Sequence, residues 1–270
     1  MHLRGDEEGE EGPLDHRVEA VEPYVDSARA AGVDEICFTE HVYYFRQTRP
    51  LWEVPYQIER CVYDIEPYVD AVLEAKRRGL PVKLGLEVDY ARGREEETRV
   101  LLEPYPWDYL LGSIHFIEGL GVDGEPRLID TVGVDAAWQR YFDELAAAAG
   151  SGLFDSLSHP DLVKVYGRRP DRELEKELHE QAAVAIAASS VAVEVSTAGL
   201  RKPVGELYPD PHFLEVCRQR GVPVTVASDA HGPSLVGRDF DLARALLRSA
   251  GYDTITLFER RRARQVPLDG

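Results

Sequence analysis

No run of apolar residues approaches the roughly 18 needed to cross a membrane. The opening dozen residues are acidic and lack the pattern of a secretory signal. Cysteine is scarce. Cys37, Cys61 and Cys217 form no close-spaced disulfide or thiolate metal framework, and Cys37 and Cys217 sit in apolar runs as small hydrophobes. Positive charge is short as well: 31 Lys and Arg stand against 49 Asp and Glu, a formal charge of −18. Nucleic acids and anionic membranes need cationic surface, so neither is an expected partner. With no repeat of 20–50 residues and no low-complexity linker, the expectation is a cytoplasmic globular protein with a single domain over 1–270.

What the chain does have is alternation. Short Val-, Ile- and Leu-rich runs at 35–39, 82–88, 108–114, 154–158, 191–196 and 222–228 have the character of parallel strands buried on both faces. Helical patterns separate them. Leu14, Val18, Val21, Val25 and Ala28 share one face, as do Ile65, Tyr68, Val69, Val72 and Leu73. Asp64 reads as the N-cap of the second of these helices, with Gly79 at its end. Asp210 and Pro211 open another, which stops at Gly221. Further helices are expected over 94–103, 134–149, 171–189 and 238–250. Such alternation marks parallel βα units, and both a barrel and an open doubly wound sheet satisfy it.

The chemistry-bearing residues follow the strands. Glu40 and His41 come after the first strand, and Glu87 and Asp89 end the second. His115 follows the third in GSIHF (112–116), and His159 follows the fourth in SHPDLVK (158–164). Asp229 and His231 follow the last in ASDAH (227–231). In an α/β barrel the C-terminal strand ends share one face, so these groups are expected at one mouth. Imidazole and carboxylate without thiolate suit Zn, Mn or Fe. About eight donors exceed the four of a closed structural site, so two or three divalent ions are expected. Such ions can clamp the attacking and leaving oxygens of a phosphate ester, with activated water as nucleophile.

Asp229 and His231 are placed to move a proton at the reacting oxygens. Arg201, after the fifth strand, and Lys164, in HPDLVK, are the expected phosphate contacts. Tyr43, Tyr44, Phe45 and Arg46 read as loop packing, with a substrate wall as the alternative. His16, His179 and His212 fall in predicted helices among charged neighbours and read as solvated surface. The acidic run at 6–11 reads as a solvated loop, and ERRRAR (259–264) as a solvated helix face.

The ordered set FTEH (38–41), GLEVD (85–89), GSIHF, SHPDLVK and ASDAH resembles the polymerase and histidinol phosphatase (PHP) superfamily. Within it, STAGLRKP (196–203) followed by ELYPDPHFL (206–214) resembles the histidinol-phosphate phosphatases. The resemblance runs from His2 to about Leu268. It implies a TIM-like, distorted seven-stranded (β/α) barrel with a trinuclear metal centre. The implied reaction is hydrolysis of a small phosphate ester, L-histidinol phosphate, in histidine biosynthesis.

Carried over by motif, His2, Glu87 and Asp229 would hold the first ion, and Glu87, His115 and His159 the second. His41 and His231 would hold the third, joined by Asp6 or Glu8. Glu87, shared between ions, joins Asp229 and His231 as an expected catalytic group. The family opens on Asp-x-His-x-His, and here Met1 stands between the two histidines. A truncated first strand and an internal Met1 are therefore expected. Two alternatives stay open: another phosphoesterase of the superfamily, acting on nucleotides or nucleic-acid ends, and a non-catalytic metal-binding module.

Overall fold

In the computed structural model, which describes residues 1–3 and 14–268, all six apolar runs become strands of one parallel sheet. The strands of the described residues are β1 Ile36–His41, β2 Val82–Asp89, β3 Tyr109–Ser113, β4 Phe116–Ile117, β5 Leu120–Gly121, β6 Ser156–Leu157, β7 Ala192–Ser196, β8 Val224–Ala227, β9 Thr254–Glu259 and β10 Arg262–Pro267. The helices are α1 Glu22–Ala30, α2 Pro55–Arg60, α3 Ile65–Arg77, α4 Glu95–Leu102, α5 Arg127–Val132, α6 Val134–Gly150, α7 Arg172–Ser189, α8 Pro211–Gln219 and α9 Phe240–Ser249.

The sheet runs β1-β2-β3-β6-β7-β8, and every neighbouring pair is parallel. Parallel pairing demands long crossovers, which the helices supply. Strands β3 and β7 are buried at every position, so both faces of the sheet are covered. On one of them Tyr68 of α3 donates its hydroxyl proton to the Gly85 carbonyl oxygen at 2.7 Å.

The sheet curls. Thr39 N on β1 donates to Met1 O at 2.8 Å, and His2 N donates to Ala230 O, just past β8, at 3.1 Å. The first three residues thus span the two edge strands of the half-barrel. The architecture is the expected TIM-like α/β class, with six parallel strands in the curled sheet. Close packing inside shows at Gly112, where a Cβ would lie 2.4 Å from the Phe154 ring.

Local signals set most element ends. The Asp171 carboxylate caps α7 by accepting from Glu173 N and Leu174 N, and Asp210 caps α8 by accepting from His212 N. Asp64 precedes α3 as expected, yet its carboxylate pairs with Arg46 at 2.9 Å rather than capping the helix. The face read from Leu14 to Ala28 divides into a 3-10 turn, Val18–Ala20, and α1. Pro23 explains the break, because a residue without an N–H is tolerated only in a helix's first turn.

Two expectations are corrected. The 259–264 run is no helix face: Glu259 ends β9, Arg262 opens β10, and Arg260 and Arg261 make the hairpin turn between them at φ 49° and 61°. Asp108 holds that turn by accepting Arg260 N and, through its main-chain oxygen, Arg261 N. Of the three histidines read as solvated surface, one is fully buried and two are partly covered. His16 is half-buried against Phe45, Tyr63 and Tyr68. His212 is partly covered and lies 3.2 Å from His179, Nδ1 to Nδ1. His179 is fully buried and stacks on Phe213 at 5.0 Å.

Burial pushes the His179 pKa down to about 3, against the pull of Asp210. Its share of stability is whole above pH 6.5, where folded and unfolded rings are both neutral. That share is lost as the pH falls toward 3, because only the unfolded chain accepts the proton. The H179F variant should therefore lose about 2 kcal/mol less unfolding free energy than the parent between pH 6.5 and 5. Urea titrations at the two pH values measure this, and identical losses would refute it.

Candidate metal centre

Side chains alternate along a strand, so Glu87 and Asp89 project together from the C-terminal end of β2 toward the concave side. Glu87 becomes a hub. Its Oε2 lies 3.2 Å from His41 Nδ1 and 3.8 Å from His2 Nε2. Its Oε1 lies 3.6 Å from His115 Nε2 and 3.3 Å from His159 Nε2. Asp229, beyond β8, adds Oδ1 at 3.5 Å from His2 Nε2 and 3.7 Å from His231 Nδ1. The His2 ring stacks on His41 at 4.3 Å and sits 4.2 Å from His231. His2, His41, Glu87, His115, His159, Asp229 and His231 are thereby brought to one rim. Asp6 and Glu8 lie outside the described residues.

The donor set fits divalent ions. Ligand atoms of His2, His41 and His231 lie within 4.8 Å of one another, as do those of His41, Glu87 and His115. His2 Nε2, His41 Nδ1, Glu87 Oε1 and His159 Nδ1 are buried without a hydrogen-bond partner. Buried polar atoms are rarely left so, and the orphans on His2, His41 and Glu87, in a cluster of nitrogen and oxygen donors, suit Zn, Mn or Fe.

A second layer orients these groups, and its roles were not read from the sequence. Glu40 Oε2 lies 3.3 Å from His2 Nδ1, and Leu3 N donates to the same carboxylate. Asp89 Oδ1 lies 2.6 Å from His115 Nδ1 and also accepts from the Ser113 hydroxyl at 3.0 Å. Carboxylates on the far nitrogen leave Nε2 facing the centre. Glu194 of β7 accepts His159 N at 3.2 Å. A charged residue inside the apolar strand AVEVS was the signal for it. His159 and Asp229 hold φ of 22° and 47°, unusual for non-glycine residues and costing about 1–3 kcal/mol each.

Burial opposes every charge here, and neighbours decide the outcome. His41, His159 and His115 hold the Glu87 carboxyl well below the usual range despite its burial. His231 and His2 do the same for Asp229. Burial lowers the basicity of His115, yet Asp89 and then Glu87 push its pKa up to about 10. Glu194, buried beside Asp229 and Glu87, rises to about 7 although His159 pulls the other way. His41 falls well below its ordinary value through burial and the neighbouring imidazoles.

Two expected substrate contacts are placed differently. The Arg201 guanidinium is at the rim, donating to Ser228 O at 2.6 Å and Asp229 O at 3.3 Å. Lys164 is not at the mouth: it is fully buried, with its ammonium on Asp161 at 2.9 Å, Leu207 O at 2.7 Å and Glu206 at 3.5 Å. Tyr43 and Tyr44 pack against the His41 ring at 4.9 and 5.5 Å.

Residues 14–198 match the PHP domain. The chain belongs to the PHP family. A Deinococcus radiodurans protein named "Probable histidinol-phosphatase" is 33% identical over 241 residues, covering 88% of this chain and 90% of its own length. The histidinol-phosphatase of Bacillus subtilis is 26% identical over 245 residues, covering 81% and 89%. In fold, this PHP chain superposes with a TM-score of 0.72 on the crystal structure of Lactococcus lactis histidinol phosphate phosphatase complexed with zinc, L-histidinol and phosphate. That match covers 98% of this chain and 96% of the other at 22% identity.

In protein stripped of divalent ions by a chelator, His115 should stay protonated to about pH 10. D89N should bring that titration down toward the ordinary imidazole range. Imidazole NMR titration reads both, and an unchanged His115 in D89N would show that Asp89 does not set its charge.

Proposed function

We propose that this PHP chain is a metal-dependent phosphomonoesterase that hydrolyses L-histidinol phosphate to L-histidinol and phosphate, a step of histidine biosynthesis. The observation that carries the reading is the Glu87 hub, whose four imidazoles and unpartnered buried donor atoms converge at the strand ends. The histidinol-phosphatase names of the relatives and the ligands of the Lactococcus protein choose the substrate.

Two or three Zn, Mn or Fe ions would be held by His2, Glu87 and Asp229, by Glu87, His115 and His159, and by His41 and His231. When bound, such ions neutralise phosphoryl oxygens and lower the pKa of water. The chain's own residues do the rest. Glu40 and Asp89 keep His2 and His115 in the tautomer that turns Nε2 inward. Asp229 and His231, the more exposed of the group at 22% and 15% of their side chains, are the pair that can exchange a proton with a substrate oxygen. Arg201 fixes the Ser228–Asp229 backbone and brings positive charge to a mouth on an otherwise acidic protein.

With Mn or Zn added, hydrolysis of histidinol phosphate should exceed that of nucleoside monophosphates by at least about 100-fold in kcat/KM. Chelation should abolish it. Elemental analysis should find two or three ions per chain, and E87Q should lose bound metal and more than about 100-fold in kcat/KM. Equal rates on nucleotides, or an ion-free active protein, would overturn the reading.

A further inference from the structure

Close to the metal ligands, one buried side chain is held rigidly while its polar atom is unused. Tyr208, in the ELYPDPHFL segment, is 1% exposed, and its hydroxyl has no hydrogen-bond partner among the described residues. Its backbone pairs both ways with Ser196 at the end of β7: Ser196 N donates to Tyr208 O at 2.8 Å, and Tyr208 N donates to Ser196 O at 3.0 Å.

Facing residues of an antiparallel bridge project to the same side, and Ser196 is two positions beyond Glu194. Tyr208 therefore shares the concave side with the carboxylate that holds His159. Its ring lies 6.1 Å from the His159 ring, edge-on, and the Lys164 ammonium stands 5.3 Å over its face. A Cβ at Gly199 would come 2.9 Å from the Tyr208 ring, so the wall behind it admits only a hydrogen. Lys164, itself held by Asp161 and Leu207 O, completes the platform that packs the ring.

A hydroxyl buried without a partner is unfavourable in the free protein, and a ligand that brings an acceptor to it relieves that cost. We infer that Tyr208 is a substrate contact, donating a hydrogen bond from its hydroxyl to a phosphoryl oxygen of the monoester on the His159 side of the centre. The inference rests on the phosphatase reading. No bond is made or broken at the phenol. A phenol is neutral near pH 7, so it serves as a neutral donor to an anionic acceptor.

The Y208F variant of the full chain removes one oxygen and keeps the ring. In the metal-loaded protein, kcat/KM for histidinol phosphate should fall about 10- to 100-fold. The dissociation constant for inorganic phosphate, measured by calorimetry, should rise by a similar factor. Ions per chain and the thermal midpoint should hold or improve. Unchanged phosphate affinity and kcat/KM would overturn the inference, as would a Y208F protein that loses ions or fails to fold, since Tyr208 would then be a packing residue. A parent that binds phosphate more tightly than Y208F but does not cleave histidinol phosphate would keep the contact and sink the phosphatase reading instead.

Discussion

A carboxylate buried at the bottom of a curled sheet is the constraint from which the rest of the site follows. Taking the Glu87 charge out of water is costly unless positive or hydrogen-bonding partners surround it. Here both oxygens face imidazole nitrogens at 3.2–3.8 Å, two on each side. Those imidazoles arrive from four different places in the sequence, so satisfying Glu87 at the end of β2 requires the N-terminal residues to meet the ends of β1, β3 and β6. Asp229, Asp89 and Glu40 add further negative charge to the same small volume. Such a cluster is balanced when divalent cations share it.

The site is held by layers of decreasing chemical involvement. Asp89 and Glu40 act on the far nitrogens of His115 and His2, and Ser113 anchors Asp89 in turn. Glu194 and Leu162 N grip the backbone of His159 on either side of its peptide, allowing a φ that a free chain would avoid. Beneath them, Lys164 is spent as a structural ion on Asp161 and supports the Tyr208 ring. A cation that the motif suggested for substrate is thus engaged by the protein's own groups.

Much of this was legible in the chain itself. The six apolar runs, the cap at Asp210, and the habit of His, Asp and Glu to follow a strand are local patterns, and they stand in the structure where the pattern put them. The misreadings share one cause: judging a residue by its sequence neighbours. His179 sits among Glu and Gln in the sequence, yet it lies at helical spacing with Glu175, Leu178, Ala182, Ala183 and Ile186, the buried face of α7. The 259–264 run is charged enough for a helix face, but the alternating TITLFE and RARQVP segments on either side of its turn pair as a hairpin.

The parallel βα order and the kinds of donor at each strand end follow from local sequence, because strand period and side-chain chemistry are properties of neighbouring residues. Which carboxylate is the hub, which ones orient, the inward turn of Lys164 and the place of Tyr208 beside His159 are set by long-range packing. Those depend on the curl that carries Met1 and His2 from β1 across to Ala230. Curl sums small twists over the whole sheet, and no short stretch of sequence contains it.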